Sequence, residues 1–124
     1  MKLTRQNIKT FWKCVDAAVK DLKLTDWTIV KLMDEDLAGT DTLATCAPQW
    51  QFHKAVLRLS TEWSIDPTPL VLCQIAVHEV CHILLNGLIY VGEQRWSTEK
   101  QHDFEEHEII RRLVPVMTGK EEED

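Results

Sequence analysis

Leu70-Val71-Leu72-Cys73-Gln74-Ile75-Ala76-Val77-His78-Glu79-Val80-Cys81-His82-Ile83-Leu84-Leu85 is the stretch on which the fold turns. It is largely apolar, preceded by Asp66-Pro67-Thr68-Pro69 and followed by Asn86-Gly87. Asp66 or Thr68 can cap a helix there, Pro67 or Pro69 suits its first turn, and Gly87 suits a left-handed stop. By length alone the run could span a membrane. Gln74, His78, Glu79 and His82 recur along one side, however, and four polar groups on one face are costly in lipid. The pattern predicts a buried central helix in a small soluble domain.

His78 and His82 stand at i and i+4, so a helix stacks them one turn or ~6 Å apart. Two imidazoles so placed can share one zinc ion. Glu79, between them, reaches a water on the metal without being a ligand itself. Zinc brings such a water toward a pKa of ~7, and a glutamate can then take its proton. Without a metal, three ionisable groups on an apolar helix would go uncompensated. The string HEVCH therefore predicts zinc at His78 and His82, with Glu79 as the catalytic base.

Composition narrows the rest. A chain of 124 residues makes one domain with a modest core. A net charge of -6 argues against a nucleic-acid partner, which would select a basic face. The start, Met1-Lys2-Leu3-Thr4-Arg5-Gln6-Asn7, leads into a helical pattern rather than an apolar leader, so a cytoplasmic location is expected, with no membrane partner. There Cys14, Cys46, Cys73 and Cys81 are expected as free thiols, and no C-x-x-C pair marks a cysteine zinc site. Cys81, inside the motif, fits a small core residue.

The remaining chain reads as α+β. Ile8, Phe11, Trp12, Val15, Ala18, Val19 and Leu22 keep helical spacing over residues 4–23. Strands are expected over 27–33, over 40–50 with a turn at Pro48, and over 52–60 with Ala55, Leu57 and Leu59 on one face. After the motif helix come a loop through Gly92 and a last helix over 97–117, which Pro115 ends or bends. Residues 1–118 make a single domain, and 119–124 an acidic disordered tail.

Two histidines hold zinc poorly, so a third ligand is expected from the last helix. Its inward stripe is set by Ile109, Ile110, Leu113 and Met117. One turn back lies Glu106, and another turn back lies His102. Glu106 is the first choice for the metal, His102 the next. Glu105 and Glu108 fit a solvated face near a helix N-terminus, which favours negative charge. His53 fits a structural or exposed role better than a ligand's.

The arrangement resembles the minimal gluzincins, small metallopeptidase-like proteins with a helix, a short sheet, an HExxH helix and a glutamate helix, many of them phage-encoded. The resemblance rests on Trp27-Thr28-Ile29-Val30, the segment Lys54 to Ser60, HEVCH, and Glu105-Glu106-His107-Glu108-Ile109-Ile110-Arg111-Arg112-Leu113. Metzincins place a further histidine six residues after the second, and here that position is Leu88. Gluzincins commonly carry Asp or Asn four residues after the ligand glutamate, and matching Glu106 puts Ile110 there. The resemblance implies a zinc-dependent hydrolase acting on a protein or peptide, which would pair with an edge strand at Thr42–Ala47 or with the strand that follows. Tyr90, His102 and His107 are candidates to stabilise the oxyanion. A non-catalytic zinc-stabilised binding module is the alternative, as is a factor that cleaves one specific protein.

Overall fold

Thr4 opens the first helix, α1 (Arg5–Asp21), with a reciprocal cap. Its hydroxyl accepts from the Asn7 amide at 3.1 Å, and the Asn7 side-chain oxygen accepts from the Thr4 amide at 2.9 Å. Phe11, Val15 and Ala18 form the buried stripe. At the far end Lys23 takes a left-handed φ of 57°, and the Leu24 amide reaches back to the Val19 carbonyl at 2.8 Å. That closure usually employs glycine, and here a lysine fills it.

The structure is a computed structural model that describes residues 1–93 and 99–118. Three strands succeed α1 in the chain, β1 (Thr28–Asp34), β2 (Ala44–Gln49) and β3 (Lys54–Ser60), in the sheet order β1-β3-β2. β3 lies in the middle, parallel to β1 and antiparallel to β2. As the alternation predicts, Ala55, Leu57 and Leu59 are buried while Arg58 on the opposite face is exposed. The second strand is shorter than expected. Its first residues are held in a turn, the Thr40 hydroxyl donating to the Leu37 carbonyl at 2.7 Å and accepting from the Thr42 amide at 3.2 Å. Pro48 lies within β2 rather than at a turn, which an edge strand tolerates because one of its sides is unpaired.

The motif helix, α2 (Pro69–Glu93), begins at Thr68, whose hydroxyl accepts from the Val71 amide at 3.2 Å. Val71, Leu72, Ala76, Val77, Val80, Cys81 and Ile83 are all buried. Its segment Pro69–Asn86 is long and apolar enough to cross a membrane by length and composition, and half of that segment is buried within the protein. The expected stop at Gly87 and the loop through Gly92 are both overturned, since the helix runs through them to Glu93. A glycine inside a helix costs only ~1 kcal/mol relative to alanine. No proline follows Gly87 within α2, and Leu88-Ile89-Tyr90-Val91 offers no turn chemistry.

The last helix, α3 (Glu99–Thr118), packs against α2 and buries Ile110 and Val114. Pro115 is contained within it rather than ending it. The fold is α+β: an N-terminal helix, a three-stranded mixed sheet and two further helices. The expected tail, 119–124, and the start of the last helix at Ser97 lie outside the described residues.

Candidate metal centre

α2 is buried nearly all round at its middle, so its polar side chains have to face one another or a neighbouring element. His78 and His82 lie one turn apart, with ring centroids 5.2 Å from each other. Glu79 is 8% exposed.

α3 supplies the opposing face. Ile110 and Val114 anchor it against α2. Counting back three residues from Ile110, or seven from Val114, gives His107; counting back four from Ile110 gives Glu106. Both therefore turn toward the motif. The His107 ring lies 4.9 Å from that of His82 and 5.8 Å from that of His78. One ligating nitrogen from each of the three lies within 4.8 Å of the others. Three histidines converge on one point.

Three nitrogens on a tetrahedral ion at ~2.1 Å stand about 3.4 Å apart. Side-chain shifts of about an ångström therefore bring this set to coordination distance. Among the described residues it is the one such group of histidines, cysteines and carboxylates.

Glu106 reaches the cluster differently. Its Oε2 pairs with Nδ1 of His82, the two side chains being 13% and 15% exposed. An acid behind a histidine in this way fixes ring orientation and tautomer for a metal in front.

A cleft of about 210 Å³ opens beside His78 and Glu79, bounded by Asp41, Thr42, Leu43 and Ala44 ahead of and within β2, and by Ile75 of α2. Cys46, farther along β2, has its thiol pushed well above the ordinary range, by burial first and then by the negative charges of Glu79 and Glu106.

Comparisons with protein-family models, with curated proteins and with solved structures find nothing that matches this chain.

Glu108 bonds Arg111 at 3.3 Å on the outer face of α3, in keeping with a solvated role. His53 lies away from the cluster, its Nδ1 2.9 Å from Asp26 and its ring stacked on Trp27 at 5.0 Å. The side chains of Tyr90, His102 and Glu105 lie outside the described residues. Sequence reasoning offers His107 only as an oxyanion partner and misses its place in the cluster. Val114 is the signal that could have found it, because it widens the inward stripe of α3 enough to include His107. Cys46 leaves no sequence signal, since its place near the carboxylates depends on how β2 lies against α2.

Proposed function

We propose that this protein is a zinc-dependent hydrolase of peptide bonds, with the metal held by His78, His82 and His107 and with Glu79 as the general base. The observation that carries this reading is the approach of His107, from a separate helix, to the HExxH pair whose glutamate lies buried beside the cleft. The donor chemistry fits zinc, which takes three protein ligands in catalytic sites and accepts imidazole readily. When bound, zinc supplies a Lewis acid that acidifies water and polarises a carbonyl.

The chain's own groups do the rest. Glu79 takes a proton from the attacking water at its carboxylate and hands it to the departing amine. Its shelter from solvent keeps bulk water from competing for that proton. Glu106, paired with His82, orients that ring for the metal. The free edge of β2, which begins at the cleft, can pair with an extended segment of substrate. A cleft this small suits a narrow choice of substrate, such as one exposed loop or tail of a protein.

Protein purified without chelator is expected to carry one zinc per chain by elemental analysis, and to cleave peptides drawn from its host's proteins. Glu79→Gln should keep the zinc and lose the cleavage. Zinc retained with no cleavage by the wild type across such a library would replace this reading with that of a zinc-stabilised binding module.

A further inference from the structure

α1 packs against α2, and a groove opens between them. Its cavity of about 510 Å³ is lined on α1 by two adjacent rows at i, i+4 spacing, Gln6-Thr10-Cys14 and Lys9-Lys13. Across from them, α2 contributes Cys73. Both cysteines are half-buried free thiols that line this one cavity from facing helices. Among the described residues no acidic side chain lines the cavity, although the chain as a whole carries 20 acidic against 14 basic residues. Two thiols and two lysines therefore share one open groove of an acidic protein.

We propose that this groove is a thiol–disulfide exchange site, in which an anionic low-molecular-weight disulfide of the glutathione type oxidises Cys14 and Cys73 to an internal disulfide that ties α1 to α2. One cysteine gives its proton to solvent, and its sulfur bonds to one sulfur of the small disulfide. The old S–S bond breaks, and the departing half takes the electron pair and a proton to become a thiol. The second cysteine then attacks the protein-side sulfur of the mixed disulfide, and the Cys14–Cys73 bond forms. A second small thiol leaves with a proton. Two protein thiols are oxidised, and one disulfide is reduced to two thiols.

The groove decides both partner and outcome. Lys9 and Lys13 attract the carboxylates of the incoming molecule, and Lys13 also favours the Cys14 thiolate. Burial and the Cys73 contact oppose it more strongly, pushing the Cys14 thiol up to about 12. Exchange is accordingly slow at neutral pH and faster in mild alkali. The mixed disulfide is short-lived, because the resolving thiol lines the same groove. The clamp closes a loop that runs through the whole sheet, so it constrains the unfolded chain and raises Tm by several degrees.

The test uses the full chain equilibrated with glutathione disulfide at about pH 8.5. Intact mass should fall by two hydrogens with no glutathione retained, and peptide mapping without reductant should link Cys14 to Cys73. Cys14→Ser and Cys73→Ser should each stop at a stable glutathione adduct on the remaining partner. A Lys9→Gln, Lys13→Gln double variant should slow exchange with glutathione disulfide several-fold and leave exchange with neutral hydroxyethyl disulfide unchanged. Intact thiols at Cys14 and Cys73, a lasting adduct on the wild type, or a bond to Cys46 or Cys81 would each overturn the site. Equal slowing with both disulfides would overturn the anionic partner. None of these readouts depends on zinc or on peptide cleavage.

Discussion

Two histidines in this molecule, His53 and His82, each pair through Nδ1 with a carboxylate, yet their surroundings point them to different work. His53 meets Asp26 where both are open to water, at 41% and 62% side-chain exposure. Its ring lies flat on Trp27, with Trp50 tilted against it at 5.1 Å. Backbone geometry agrees, because His53 adopts a left-handed φ of 47° at the end of the short turn joining β2 to β3. It is a hairpin residue whose imidazole fills a gap among aromatic rings. His82 meets Glu106 in a sheltered crevice and has two further imidazoles beside it. Partner chemistry is the same in the two places. The difference lies in the company on the far side of the ring, apolar in one case and rich in lone pairs in the other.

The comparison breaks most sharply with alanine. His78→Ala or His82→Ala is expected to lose the metal and all metal-dependent hydrolysis, by elemental analysis and peptide assay, whereas His53→Ala keeps both. Zinc lost equally from the His53 variant would erase the distinction. Next comes Glu79→Gln, with metal retained and turnover down by about 10²–10⁴-fold, the usual contribution of a general base.

Glu106 sharpens the contrast between an acid that orients and one that ligates. As the orienting partner, Glu106→Gln should weaken zinc about 10–100-fold, measured by chelator competition, while His107→Ala should weaken it further. The reverse ranking would make Glu106 the third ligand, as the sequence by itself implies. At the other end of the sheet, Asp26→Asn should cost no more than about 1 kcal/mol in urea unfolding, since exposed ion pairs contribute little. Smallest of all is Cys46→Ala, which should leave zinc content unchanged because three imidazoles already supply the protein ligands; a loss of metal there would make the cysteine a ligand.

Much of this is legible without coordinates. HEVCH declares its pair of histidines because a helix turns in a known way, whatever surrounds it. The alternation of Ala55, Leu57 and Leu59 marks the buried face of β3 for the same local reason. Thr68-Pro69 marks the start of α2 through capping chemistry. Gly87 misleads because glycine is only a weak helix breaker, and the apolar residues Leu88 to Val91 are free to continue the helix.

Tertiary structure alone decided three things. It joined β1 to β3 in parallel with β2 on the outer side, an order that alternation does not encode. It set both Glu106 and His107 of α3 beside the motif, the acid against His82 and the imidazole near both histidines, although the two differ by about 100° around the helix. It also brought Cys14 and Cys73 together, two unremarkable positions on separate helices. Local sequence determines which side chains share a face, through the fixed period of a helix or strand. Which faces meet depends on packing the whole core at once, and that information is spread over residues far apart in the chain.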